Sequence, residues 1–188
     1  MKDEGERALR VADMMITGYS ILRDRYAMFA LCLDILIIFS SAWIAVLSLA
    51  DSAYVKIFTI GSFPPSETIG IAGVLTFVLS IFQLRVDWKQ LSGRYDQASR
   101  AYATAKHRLR QALNEIQTEP SRLDDAIRFY SQVGREQIPI PDKKFNALKR
   151  RHLMKIFVSK ELSDNPGASI FLIKLRYWLV SNYKELTK

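Results

Sequence analysis

Residues Ala27 to Leu49 read AMFALCLDILIIFSSAWIAVLSL, 23 residues with a single charge at Asp34. A helix crossing the hydrocarbon core of a bilayer needs about 20 mainly apolar residues. A soluble helix that is apolar on every side needs surroundings larger than a chain of 188 residues ordinarily builds. The run is therefore expected to span a membrane. A second run, Ile69 to Leu84, reads IGIAGVLTFVLSIFQL. It reaches spanning length when Ser66, Glu67 and Thr68 start its helix near the interface, and Pro64, Pro65 and Ser66 suit that start, with Ser66 as cap. The expected spans are 27–49 and 66–84.

The charge distribution gives these spans a direction. Arg7, Arg10, Arg23 and Arg25 precede the first, and Arg85, Lys89 and Arg94 follow the second. Lys56 is the one basic residue between them. Positive charge stays on the cytoplasmic side, so both ends are expected in the cytoplasm, with the inner membrane as the location. Tyr26, Trp43, Tyr54 and Trp88 fall near the expected boundaries, where amphipathic rings are at home. Residues 1–26 carry five basic and five acidic side chains ahead of a run too long for a signal core, so no cleavable signal is expected. The single cysteine, Cys32, excludes a disulfide framework and is expected to be a small packing or lipid-facing residue.

Beyond the second run the chain changes character: residues 85–188 hold 21 Lys/Arg and 11 Asp/Glu. Within them Trp88, Leu91, Tyr95, Ala98, Tyr102, Ala105, Leu109, Ala112 and Ile116 alternate in steps of three and four, a heptad seam. Its phase runs back through Leu84, Ile81, Phe77 and Val74, which predicts one uninterrupted rod of about 50 residues leaving the membrane. One set of seam positions is large and the other is mostly alanine, which favours close approach of a partner helix. That partner is either the N-terminal helix, through Leu9, Ala12, Ile16, Tyr19 and Leu22, or a neighbouring subunit.

Glu119-Pro120-Ser121 predicts the end of the rod and the start of another helix capped by Ser121. The IPIP stretch, 138–141, is an extended connector, and Asp142 is expected to cap a basic helix that stops at Asp164-Asn165-Pro166-Gly167. Ile170 to Val180 is too short and too charged to span. Packing under the rod is its expected fate, and lying among lipid headgroups is the alternative. The fold class is thus an all-α membrane protein in four segments. They are an amphipathic helix (1–26), a two-transmembrane hairpin (27–84), a coiled-coil-like helix (85–118) and a C-terminal basic helical region (119–188).

No catalytic constellation, cofactor loop or metal motif is present, so neither an enzyme nor a cofactor is expected. His107 and His152 lie on separate expected helices with no evident carboxylate partner. A carboxyl group within a span is costly and faces protein, water or a partner. Asp34 is therefore a candidate for packing or for lining a water path, with Ser40 and Ser41. Ala72, Thr76 and Ser80 form a small-residue stripe fit for helix contact. The seam from Trp88 to Leu109 is the candidate oligomer contact. Lys149, Arg150, Arg151 and Lys155 form a candidate face for anions or lipid headgroups; direct nucleic-acid binding is not expected, because aromatic interleaving is poor.

The layout resembles the SLATT family, the two-transmembrane effectors associated with nucleotide-synthesising and nucleotide-sensing proteins in bacterial conflict systems. The likeness rests on Arg23-Asp24-Arg25-Tyr26 entering the first span and Trp88 through Tyr95 leaving the second. It extends to Ile140 through Lys149, followed by His152 and Lys155, and to Asp164-Asn165-Pro166 before the closing helix. The resemblance implies a homo-oligomer in membrane lipid that permeabilises the membrane when a phage-triggered signal arrives. A nucleotide-signalling or sensor protein would be its partner. The rival expectations are a non-conducting scaffold and an accessory subunit of a larger membrane complex.

Overall fold

A computed structural model of the chain describes the backbone of residues 1–49, 65–116 and 119–186, and side chains over 1–49, 67–116 and 119–180. The described residues are helical, with no strand among them. The expectations for Lys56, Tyr54 and Pro64, and for the cap at Ser66, lie outside what is described. Among the described residues six helices follow in order: α1 (Lys2–Leu49), α2 (Pro65–Val86), α3 (Trp88–Asn114), α4 (Ser121–Glu136), α5 (Asp142–Asp164) and α6 (Ile170–Leu186).

The N-terminal amphipathic stretch and the first apolar run form one helix, α1, of 48 residues. Asp3 and Glu4 in its first turn meet the positive end of the helix dipole. Pro65 opens α2, where its missing N–H costs nothing. Each apolar run lies in a helix long and apolar enough to cross a membrane. Only 17% of the most apolar window of the first, and none of the second, is buried by the rest of the chain.

The rod expected from the heptad phase is helical from Glu67 to Asn114 with one irregular residue, and the helical hydrogen bonds of the Asp87 N–H to Gln83 and of the Leu91 N–H to Asp87 are kept. Asp87 adopts φ of +39°, in the left-handed region that few side chains enter, and it separates α2 from α3. The heptad pattern registers side-chain spacing and is blind to a one-residue change of backbone state. Asp tolerates this state because its carboxylate bonds locally: Oδ1 accepts the N–H of Gln90 at 2.9 Å, a cap for the first turn of α3. Two expected caps are corrected. Ser121 and Asp142 are the first residues of α4 and α5, whose caps are Pro120 and Pro141, with no side-chain bond. Backbone carbonyls do the work instead, Pro141 accepting from Lys144 and Phe145. Arg122 ties the turn before α4 to Glu115 and Glu119.

The chain divides into two compact units: Met1–Ile21 with Gln97–Lys188, and Leu22–Asp96. In the first, Ala8, Leu109, Ala112, Leu123 and Ala126 form a core, with Leu9, Leu113, Ile116, Ile127 and Tyr130 against it. Two glycines let α1 approach its neighbours. A Cβ on Gly5 would lie 2.9 Å from Leu123 Cδ1, and one on Gly18 would lie 3.2 Å from Ile140 Cδ1. The last helix has its contact on the basic helix α5. Ile173 is buried and Tyr177 meets Phe157 at 4.7 Å, so α6 packs on α5. Phe171 and Trp178 stay 72% and 59% exposed.

Candidate functional site

The seam is filled within one chain. Tyr95, Ala98, Tyr102, Ala105, Leu109 and Ala112 are at most 4% exposed, as are Ala12, Tyr19 and Leu22 of α1. In the first unit Tyr19 stacks on Tyr102 at 5.5 Å, and its hydroxyl donates to the Ile138 carbonyl at 2.7 Å. The Ser20 and Ser99 hydroxyls bond at 3.1 Å. Burial pushes the Tyr102 phenol up from its ordinary value. Of the two partners open from the sequence, α1 covers these positions, joined by α4 at Tyr102, Leu109 and Ala112 through Tyr130, Leu123 and Ala126. Trp88 and Leu91, at the start of α3, remain half-buried.

A polar cluster absent from the sequence reading lies beside this seam. Lys106 pairs with Asp13, and His152 reaches Thr17 Oγ1 through Nδ1 at 3.1 Å and Asp13 Oδ2 through Nε2 at 3.9 Å. Burial opposes ionisation of Asp13, yet the hydrogen bond and charge of Lys106, aided by His152 and Lys155, hold its carboxyl below the ordinary value. His152 thus has the carboxylate neighbour that its sequence position concealed, because the two residues sit 139 positions apart. His107 is exposed. The cluster borders a cleft of about 460 Å³, lined also by Arg10, Arg110, Lys149, Leu153 and Ile156.

In the second unit, contacts between α1 and the α2–α3 segment pair rising residue numbers with falling ones. Arg23 binds Asp24 and Asp96 at 2.8 and 2.9 Å, and the Ser92 hydroxyl donates to the Arg23 carbonyl. Tyr26 stacks on Tyr95 at 5.5 Å, and Phe29 meets Trp88 at 5.6 Å. Asp34 accepts a hydrogen bond from Gln83 Nε2 and pairs with Lys89 Nζ at 2.7 Å. The lone carboxylate of the apolar run therefore has a cation and an amide donor from its own chain.

The other polar residues of the runs are satisfied by their own helices. Ser40, Ser41, Thr76 and Ser80 donate to the carbonyls four residues back, at 2.7 to 2.9 Å. Such a hydroxyl presents little unpaired polarity to lipid or to a neighbouring helix. Ser40, Ala72 and Thr76 come together, with Phe39, Trp43, Ile44, Leu75 and Leu79, around an apolar groove of about 340 Å³. Ser80 lines a separate recess with Gln83 and Lys89, and Ser41 is exposed outside both.

The basic face is divided. Lys149 belongs to the cleft beside Asp13, while Arg150, Arg151 and Lys155 line another, of about 570 Å³, between α5 and α6. No group of three or more metal-ligating side chains occurs among the described residues. Compared with known protein families, with curated proteins and with solved structures, the chain matches none.

Proposed function

We propose that this chain is a membrane effector: α1 and α2 cross a bacterial inner membrane as a hairpin with both ends in the cytoplasm, and copies assemble to permeabilise it on a signal. One observation carries the membrane part. Ile38, Phe39, Val74 and Phe77 are 64 to 68% exposed, on a chain that buries its other apolar seam almost completely. Water is a poor solvent for such a surface and lipid a good one. The contacts from Tyr26–Tyr95 to Asp34–Gln83 support the hairpin, and the excess of Arg and Lys outside the two runs supports the orientation.

The permeabilising part draws on the likeness to SLATT effectors. A single hairpin encloses no aqueous path, so a path would be built between copies, with Ser40, Ser41, Thr76 and Ser80 as the available polar groups. A second reading, a non-conducting scaffold, is favoured by the pairing of Asp34 with Lys89 and Gln83, which leaves that carboxylate no need of water. Dye-loaded vesicles of anionic lipid separate the two. Purified protein should release dye in proportion to the protein-to-lipid ratio. Vesicles that bind the protein through an alkaline carbonate wash and stay sealed would establish the scaffold instead. Protein that washes off removes both readings.

A further inference from the structure

Cations are concentrated where α5 meets α6. Arg150, Arg151, Lys155 and Lys174 all line the 570 Å³ cleft, together with Ser159, and no carboxylate is among its lining residues. None of the four has an ion pair among the described residues. The spacing on α5 explains three of them, since positions 150, 151, 154, 155, 158, 159 and 162 fall along one side of a helix. Packing of α6 on α5 through Tyr177 and Phe157 then carries Lys174 to the same place. Like charges on one face repel, and among the described residues only Lys155 has a carboxylate in electrostatic reach, Asp13, so an anion in the cleft would relieve the rest of the repulsion. The floor is aliphatic: Met154, Val158, Leu162 and Ile170. Its volume is that of a small-molecule site.

We propose that this cleft binds an organic phosphate with two or more negative charges, the phosphate held by Arg150, Arg151, Lys155 and Lys174 and its less polar moiety resting on Met154, Leu162 and Ile170. Guanidinium groups meet phosphate oxygens two at a time, and the ammonium groups add point charges. The aliphatic floor separates such a ligand from inorganic anions, which make no use of it. Two sources share this chemistry: a soluble nucleotide, and an anionic phospholipid presenting its headgroup and upper acyl carbons. The proposal concerns a cleft within one compact unit and does not depend on the membrane reading.

Full-length protein in uncharged maltoside micelles would be titrated calorimetrically with ATP, dihexanoyl phosphatidate and pyrophosphate. One organic phosphate should bind at least about tenfold more tightly than pyrophosphate, a difference of about 1.4 kcal/mol. Preference for ATP identifies the soluble source, and preference for phosphatidate the lipid one. The R151Q/K155Q double variant, altered at exposed positions, should lose about tenfold or more in affinity. Met154→Gln should weaken the organic ligand while leaving pyrophosphate unchanged, and Lys149→Gln, on the other cleft, should change neither. Without ligand, R151Q/K155Q should melt close to the parent, because the repulsion it relieves offsets the lost attraction of Lys155 for Asp13. The proposal is overturned by equal affinities for all three probes, by no saturable binding, or by binding that R151Q/K155Q leaves intact.

Discussion

The same helices behave differently in the two units. Where α1 and α3 belong to the first unit, the apolar residues form a narrow stripe, and Ala12, Tyr19, Ala98, Tyr102 and Ala105 are buried against it. In the apolar runs of the second unit, Ala30, Leu33 and Leu47 are buried while Ile35, Ile38, Phe39, Val74, Phe77 and Val78 are exposed. Stripe width accounts for the difference. A stripe seven residues in repeat is narrow enough for α1 and α4 to cover, whereas a surface apolar on all sides exceeds what the packed neighbours hide. One region supplies its own solvent-excluding partner, and the other leaves most of its apolar surface uncovered by this chain.

The largest test of that contrast is Tyr19→Ala. The side chain is 1% exposed, stacks on Tyr102 and donates to Ile138, so its removal should destabilise the first unit by about 3–5 kcal/mol. Chemical unfolding followed by near-ultraviolet circular dichroism reads this. A loss below about 1 kcal/mol would mean that the seam is loose. Next in size is a charge on the exposed surface. Phe77→Arg should cost about 2.5–3.5 kcal/mol in membrane insertion and shift the protein toward the carbonate-soluble fraction. If the surface faces water, the substitution raises solubility and costs no stability.

Smaller effects sharpen the picture. Asp87→Ala removes the acceptor for the Gln90 N–H and puts a β-carbon without local bonding at φ +39°, which should cost about 1–2 kcal/mol. Asp87→Gly, which suits that backbone state, should recover most of the loss; equal loss for both would locate the effect elsewhere. The smallest change is in pH response. Asp13 has a folded-state pKa below its ordinary value, so its pairing with Lys106 stabilises the fold at neutral pH. That contribution is lost as the pH falls below about 4 through the lowered folded value. Asp13→Asn should flatten the acid side of the stability profile, and an unchanged profile would show that Asp13 carries none of it. The carboxylate is 41% exposed, so solvent and salt screen the effect strongly.

Much of the helical layout was legible because spacing and apolar length are local properties. Pro65, Asp164-Asn165 and the IPIP connector mark helix limits in the structure as their chemistry suggests. The site was less legible. Lys149 and Lys155 look like one basic face in sequence, yet they line different clefts, since their separation places them on different sides of α5. Lys174 joins Arg151 only because α6 folds back on α5. Nothing near His152 in sequence announces Asp13 or Thr17.

Sequence by itself determined which segments are helical, how wide each apolar stripe is, and where positive charge is excluded, because each follows from periodicity and from the cost of moving charge out of water. Only the tertiary structure decided that α1 covers the tyrosine–alanine seam, that Asp87 takes a left-handed backbone state within the rod, that Asp34 is paired with Lys89, and that four cations converge between α5 and α6. These outcomes depend on which distant residues meet, and a contact across a hundred positions leaves no trace in local spacing.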